Sequence, residues 1–313
     1  MKSWLSGSAI GLIVLAAAVA ALVAFAIRTP AAPDETIDAV AGQQPTVTTS
    51  ATPSTEQSAA SPSPSVSETT EAPSEPVLLS VTTTARSAVR AVAGDCDSGG
   101  AVLELSDDGG KTWRDVDVPA RSLLRVKAVS TTEAWVVGTD TSCRPRFIRT
   151  TDGGRTWVTK VSTAGAWHLL PAPSRRLHAP KGNVDSPCKA ATPATDLAVS
   201  DNTDAAILCR GGQVHTTRDA GATWARAAAT TRATALAFLG RQVGFAAAPG
   251  GGGCDGMLVT RTADAGTTWQ ERGCAEGAAG AVTLAFSTTT AGLMATADEM
   301  WQTDDAGRTW TRL

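Results

Sequence analysis

From Val77 onward, hydrophobic positions fall in short β-branched or Ala-rich runs that are separated by Gly and Asp. Runs of this length between turn residues favour β-strands over helices, which need longer periodic segments. For the start of this region the pattern predicts strands at 77–82 and 88–94. For two later units it predicts strands at 124–130, 133–138, 146–150 and 156–161, and at 281–287, 291–297, 299–303 and 309–313. The chain from 77 to 313 is therefore predicted to be an all-β domain.

An eight-residue motif of the form S/T-x-D-x-G-x-T-W recurs five times in this domain. The copies begin at Ser106, Thr150, Thr217, Thr262 and Thr303, so successive starts are 44, 67, 45 and 41 residues apart. The shared acidic, glycine and tryptophan positions are Asp108, Gly110, Trp113, Asp152, Gly154, Trp157, Asp219, Gly221, Trp224, Asp264, Gly266, Trp269, Asp305, Gly307 and Trp310.

Each of the shared positions suits a tight turn between two strands. The carboxylate can accept hydrogen bonds from backbone N–H groups of the turn, and glycine takes the positive φ that other residues resist. The first Ser/Thr and the seventh Thr can link the two strand ends. The tryptophan then points inward, where a buried indole removes up to about 200 Å² from water. We expect these residues to be structural.

The motif resembles the Asp-box, or bacterial neuraminidase repeat, of sialidases, sortilin-type receptor domains, xyloglucan-cleaving glycosidases and the photosystem II assembly factor. Among these proteins, the chain most resembles the sortilin-type and assembly-factor propellers. The resemblance implies an all-β β-propeller of four-stranded antiparallel blades. The five motif-bearing units predict five blades, and the ring is expected to close by packing between the first and last blades. The segment 164–195 is interpreted as an insertion, and a sixth blade without a motif is the alternative. Because the family includes enzymes, receptors and assembly factors, the fold alone does not identify a function.

The N-terminus carries an apolar run of 19 residues, 9–27, between Lys2 and Arg28. About 20 apolar residues cross a bilayer as a helix, so residues 1–28 are predicted to be a signal anchor, that is, a transmembrane helix. The alternative is a signal peptide that is cleaved after Ala26. We expect a single-pass protein of a bacterial cell envelope with its propeller outside the cytoplasm, or a secreted protein after cleavage.

Residues 29–76 are predicted to be a disordered linker. This segment is rich in Pro, Ser and Thr and contains no Lys, Arg, Cys or aromatic residue. Such a composition buries too little apolar surface to offset the entropy of ordering it. The predicted organisation is therefore anchor 1–28, linker 29–76 and propeller 77–313.

Six cysteines lie beyond the apolar segment, and an even number in an exported domain favours disulfides. No CxxC pair occurs and the three histidines are not at ligand spacing, so no metal or other cofactor is expected. All six cysteines should lie on the face opposite the motif turns. Although fifteen arrangements are open, we infer pairing in sequence order: Cys96–Cys143, Cys188–Cys209 and Cys254–Cys274.

A basic cluster in the 164–195 segment stands out in a chain of formal net charge -3. It is interpreted either as a solvated loop or as a docking site for an anionic partner such as an envelope protein or glycan. Nucleic acid is not expected, because its recognition usually needs a basic face. The candidate binding residues are Trp167, His168, Arg175, Arg176, His178 and Lys181.

The residues do not indicate an enzyme. Tyrosine is absent, which excludes a sialidase that uses a Tyr nucleophile. A glycosidase needs two carboxylates about 5 to 10 Å apart, and no spacing singles out such a pair. We therefore expect a monomeric, non-enzymatic binding or assembly scaffold, with a glycan-active hydrolase as the alternative. The carboxylates available to a hydrolase include Asp140, Asp185, Asp196, Asp201 and Asp255.

Overall fold

The computed structural model describes residues 76–82, 84–171, 174–230, 232–251 and 253–313. Within these ranges, 23 strands form six antiparallel sheets, and the strands of each sheet are consecutive in the chain. The innermost strands surround a common channel. The domain is therefore a six-bladed β-propeller, and the prediction of five blades is wrong.

Five of the blades have four strands each, paired in sequence order. The first blade comprises β1 (Val77–Val81), β2 (Ala88–Val92), β3 (Val102–Ser106) and β4 (Arg114–Asp115). The second comprises β5 (Leu123–Ala128), β6 (Ala134–Thr139), β7 (Pro145–Thr150) and β8 (Val158–Lys160). The fourth comprises β12 (Ala194–Val199), β13 (Ala205–Cys209), β14 (Gln213–Thr217) and β15 (Ala225–Arg226). The fifth comprises β16 (Ala235–Leu239), β17 (Val243–Pro249), β18 (Gly256–Thr262) and β19 (Gln270–Glu276), and the sixth β20 (Thr283–Phe286), β21 (Gly292–Ala295), β22 (Met300–Thr303) and β23 (Thr311–Arg312).

The third blade occupies the segment that was interpreted as an insertion. It contains β9 (His168–Leu169), β10 (Arg176–Ala179) and β11 (Gly182–Asp185), with β10 in the middle. The alternative of a sixth blade without an Asp-box is therefore confirmed. Its strands are short, and its segment has none of the turn chemistry that marks the other blades.

The third blade also runs in an unusual direction. We call the side of the ring with the Asp-box turns the box face, and the opposite side the cysteine face. Beside β9, Trp167 donates from Nε1 to the carbonyl oxygen of Asp201, in the first turn of the fourth blade on the box face, at 3.0 Å. Beyond β11, Cys188 is bonded to Cys209 on the cysteine face. Both β9 and β11 therefore run from the box face to the cysteine face. The inner strand β9 is thus opposite in direction to the inner strands of the other blades, so the third blade lacks a counterpart of their first strand.

The five boxes form the same hydrogen-bond network. In the first, Asp108 Oδ1 accepts from Ser106 Oγ at 2.8 Å and from the Thr112 amide at 3.0 Å, while Oδ2 accepts from Thr112 Oγ1 at 2.6 Å. The amide of Gly110 donates to Ser106 Oγ, and the other four boxes repeat these contacts. These contacts hold the two strand ends of each turn together.

Two adjacent residues of every box have positive φ. The expected glycine at position five has φ between 79° and 91°. Position four, just before it, is also left-handed: it is glycine in the first two boxes and Ala220, Ala265 or Ala306, at φ 61–64°, in the others. Three boxes therefore place a methyl group where L-residues are strained.

The box indoles pack between neighbouring blades, but they are half-buried and not fully enclosed as expected. Each lies against an apolar cluster shared by its own blade and the preceding one. The fully buried indoles belong to Trp167 and Trp301, outside the motif, at 2% and 1% exposure. The inward direction of the box tryptophans is confirmed, and the degree of burial was overestimated.

Five apolar clusters cover five of the six contacts between blades. One of them joins Val77 and Ala88 of the first blade to Ala285 and Leu293 of the sixth, so the ring closes by packing between the first and last blades, as predicted. Among the described residues, no such cluster joins the second blade to the third. We call this contact the polar seam.

The polar seam is lined by charged and aromatic side chains. On the second blade, the strand faces that turn away from the apolar cluster carry Arg125, Lys127 and Trp135. On the third blade, His168 and His178 stack with ring centroids 4.8 Å apart. With no box on the third blade, no box indole enters this contact, so polar groups occupy a position that is apolar elsewhere in the ring.

All three predicted disulfides are present. Two of them link neighbouring blades: the first blade to the second, and the third to the fourth. The third bridge joins Cys274 of β19 to Cys254 within the fifth blade. The pairs are Cys96–Cys143, Cys188–Cys209 and Cys254–Cys274.

The predicted anchor 1–28 and nearly all of the predicted linker 29–76 lie outside the described residues. From Pro76 to Leu313, leaving out the gaps given above, no helix is long and apolar enough to cross a membrane. The first strand begins at Val77, where the sequence places the start of the propeller.

Candidate functional site

The central channel contains a cavity of about 1200 Å³. The inner strands β1, β5, β9, β12, β16 and β20 form its wall. Asp95 and Asp97 lie at its rim on the cysteine face, in the turn that is fixed by the first disulfide. Deeper in the wall, the charged and imidazole side chains lie on β5, β9 and β12, beside the polar seam. We call this group the channel sector; its members are Arg125, Lys127, His168 and Asp196.

Arg125 is held at the channel sector by two contacts. Its Nη1 donates to the carbonyl oxygen of Trp167 at 3.2 Å, and its guanidinium carbon lies 5.7 Å from the ring centroid of Trp135. Burial lowers the pKa of Arg125 to about 10, and the nearby Asp196 carboxylate opposes this shift. The guanidinium therefore stays charged at neutral pH, although the surrounding protein removes much of its hydration.

Asp196 links two inner strands, β12 and β16, through its carboxylate. Its Oδ1 accepts from the amide of Leu197 and its Oδ2 from the amide of Leu236 on β16, both at 2.7 Å. Burial raises the pKa of Asp196 to about 6, although these hydrogen bonds and Arg125 lower it. No ion pair within 4.0 Å joins Asp196 to Arg125. Both carboxylate oxygens are therefore engaged by backbone amides, and the bond to Leu236 connects the fourth blade to the fifth.

Lys127 and His168 complete the channel sector. Burial, and then the neighbouring Arg125, lowers the pKa of Lys127. Burial first, and then the charges of His178 and Arg125, lowers the pKa of His168 to about 3, so its imidazole is neutral at physiological pH. Both ring nitrogens of His168 are buried and have no hydrogen-bond partner among the described residues. An orphaned polar pair of this kind is rare in protein interiors.

The binding residues predicted from the sequence do not form one surface. Trp167 and His168 are buried, and His178 is half-buried against His168. Arg175 and Arg176 are exposed towards the cysteine face, where Arg176 pairs with Asp185 at 3.2 Å. Exposed Lys181, in the turn after β10, lies towards the box face. The six residues are therefore divided between the core and two opposite faces.

Arg125 and Lys127 are functional candidates that were not predicted from the sequence. The sequence contains a signal for them, because these two cations alternate with apolar residues on a predicted strand. The corresponding strands β1, β16 and β20 carry no charged residue. Asp196 was named only as one of several possible hydrolase carboxylates. Among the described residues, no group of three or more His, Cys, Asp or Glu side chains could hold a metal ion.

The other candidate hydrolase carboxylates have local partners or lie away from the cavity wall. Asp140 pairs with Arg146 at 2.5 Å, and Asp185 pairs with Arg176. Asp201 accepts from the amide of Thr203, and such bonds lower the pKa of Asp201 to about 2. Asp255 is absent from the cavity wall. The structure therefore does not bring two of these carboxylates together in the channel.

The fold has distant counterparts among solved structures. YCF48 from Cyanidioschyzon merolae is 18% identical over 72% of this chain and 69% of that chain, with a TM-score of 0.31. A structure of YCF48 bound to D1 peptide is 17% identical over 77% and 82%, with a TM-score of 0.32. The GH74 xyloglucanase from Xanthomonas campestris is 15% identical over 75% of this chain and 38% of that chain, at 0.31. No family model matches the sequence, and no curated protein is detectably similar to it.

Proposed function

We propose that the chain is a non-enzymatic binding or assembly scaffold that works outside the cytoplasm and holds its ligand at the channel sector. The observation that carries this proposal is the 1200 Å³ cavity, whose polar wall groups concentrate beside one seam of a closed ring. A concave site with a few convergent polar groups on a rigid scaffold suits ligand binding.

The use of the carboxylates supports binding over catalysis. Each box carboxylate accepts hydrogen bonds from its own turn, as Asp108 does from Thr112. In the channel sector, the oxygens of Asp196 accept from two backbone amides. A general acid or base must exchange a proton with the substrate, and these carboxylates are already engaged by the protein.

The three disulfides support a location outside the cytoplasm, because reducing compartments disfavour such bonds. The apolar run 9–27 supports attachment to the cell membrane by an N-terminal helix. On this proposal the propeller is displayed by the cell envelope, and its partner is an envelope protein or glycan. Secretion after cleavage near Ala26 is the alternative.

Photocrosslinking on intact cells tests the binding proposal. A photoreactive residue replaces Leu124 on the channel wall of the full-length protein, and a matched variant carries it at exposed Val161, outside the cavity wall. We expect a discrete adduct from position 124 that is absent from position 161, and mass spectrometry would identify the attached molecule. Equal labelling at both positions, or no adduct at position 124, would contradict a ligand in the channel.

Two further experiments distinguish binding in the channel from docking at the cysteine face and from glycan hydrolysis. Reversing the charge at Arg175 and Arg176 tests docking at the exposed cysteine face, and the channel proposal expects the adduct at position 124 to persist. The glycan-hydrolase alternative predicts release of reducing sugar from envelope polysaccharides by the wild-type protein and its loss in Asp196→Asn. The scaffold proposal expects no release from either protein.

A further inference from the structure

The channel sector presents more hydrogen-bond donors than the protein satisfies. Among the described residues, Arg125 makes one hydrogen bond, to the carbonyl oxygen of Trp167, and the ammonium of Lys127 makes none. A guanidinium has five N–H groups and an ammonium has three.

The neighbouring carboxylate does not supply the missing acceptors. The two oxygens of Asp196 already accept from the amides of Leu197 and Leu236. Arg125 and Lys127 are close enough for the charge of Arg125 to lower the pKa of Lys127. Two like charges brought together in a partly dry wall repel each other unless an anion lies between them or beside them.

Both cations remain accessible from the cavity. Arg125 and Lys127 are half-buried residues of the cavity wall, and none of their nitrogens is both enclosed and unpaired. The volume of about 1200 Å³ leaves room for an anionic group together with the molecule that carries it.

We infer that the channel sector binds a tetrahedral oxyanion, a phosphate or sulfate group, through Arg125 and Lys127. The planar guanidinium offers two parallel N–H groups to two oxygens, and the ammonium supplies a point charge. A group with several acceptor oxygens matches the surplus of donors. This inference rests on the proposed binding function and specifies the chemistry of the ligand.

Titration calorimetry of the purified full-length protein with inorganic phosphate and with sulfate, at constant ionic strength set by chloride, tests the inference. We expect saturable binding of at least one of the two ions below about ten millimolar. Arg125→Gln and Lys127→Gln should each weaken binding at least about tenfold, and Arg125→Lys should weaken it less than Arg125→Gln does. Exposed Arg210, outside the cavity wall, provides the matched control Arg210→Gln, which should bind like wild type.

Each outcome decides the inference. Absence of saturable binding in the wild type overturns it, and so does unchanged binding in Lys127→Gln when its melting temperature matches wild type. Loss of binding in the Arg210→Gln control would show general charge attraction and would also overturn it. The photocrosslink at position 124 is scored separately, so a channel adduct without oxyanion binding would leave the scaffold proposal in place and remove only this assignment.

Discussion

At the scale of the residue, each box aspartate is stabilised in its ionised form by hydrogen bonds from its own turn. For Asp152, the Thr156 hydroxyl and then the Thr156 amide lower the pKa to about 2. A folded-state pKa below the unfolded value means that the contribution to stability is complete above the unfolded value. This contribution is lost as the pH falls through the folded value.

The variant Asp152→Asn tests this linkage between the ionisation of the box aspartate and the stability of the fold. At pH 7 we expect it to melt below the wild type, because an amide lacks the charge and one of the two acceptor oxygens that the turn uses. The difference in melting temperature between the two proteins should be constant above about pH 5 and shrink towards pH 2. Melting curves at a series of pH values measure it, and a difference that stays constant down to pH 2 would contradict the linkage.

The fourth position of the boxes provides a second residue-scale prediction. Ala265 has φ 61°, a conformation that costs an L-residue about 1–2 kcal/mol relative to glycine, partly offset by the extra entropy of glycine in the unfolded chain. We expect Ala265→Gly to stabilise the protein by up to about 1 kcal/mol in urea unfolding. The reverse change, Gly109→Ala, should destabilise it, because a Cβ there would lie 2.7 Å from the carbonyl oxygen of Ala85. If neither substitution changed the free energy of unfolding, the role of φ would be refuted.

At the scale of the element, the box indoles act as wedges between sheets. Trp269 packs edge-on against Phe238 with centroids 6.2 Å apart and donates from Nε1 to the carbonyl oxygen of Ala228 at 3.2 Å. Because the indole is half-buried, we expect Trp269→Ala to lower the free energy of unfolding by about 2–4 kcal/mol. Chemical denaturation measures this change. The control Val161→Ala, at a side chain that is 79% exposed, should change it by less than about 0.5 kcal/mol.

The strands that the sequence predicts well are those next to a box. The segments predicted for the last blade contain β20 to β23, because Gly and Asp punctuation brackets each strand. The third blade was missed as an element because β9 has two residues and β10 and β11 have four each, without a box to mark their turn. Its strand direction depends on distant contacts, such as that of Trp167 with Asp201, which no local pattern encodes.

The candidate site was predictable only in part for the same reason. The alternating cations of β5 are visible in the sequence, but their position beside Asp196 depends on the order of blades around the ring. The disulfides were predictable because cysteines that fall on one face of a propeller have few partners within reach. Trp167 and His168 of the predicted basic cluster were interpreted as loop residues, whereas both are buried in the third blade.

At the scale of the whole molecule, the polar seam is the contact that we expect to open most readily. In the part of the chain that the structure describes, it has neither an apolar cluster nor a disulfide, while the contacts on either side of it have both. Local openings require little free energy where few apolar contacts must be broken. In native-state hydrogen exchange, the amides of β9 and β10 should therefore exchange faster than those of β13 and β17. Protection of β9 and β10 equal to that of β13 would contradict this ranking.

Taken blade by blade, continuous apolar packing runs from the third blade through the fourth, fifth, sixth and first to the second, and stops there. The apolar packing of the propeller therefore forms an arc, and its two ends, the second and third blades, are joined by the hydrogen bond from Arg125 to the carbonyl oxygen of Trp167. A ligand bound between the second and third blades would hold them together. Occupancy and heat resistance would then rise together, since a molecule that binds only the intact ring raises its melting temperature.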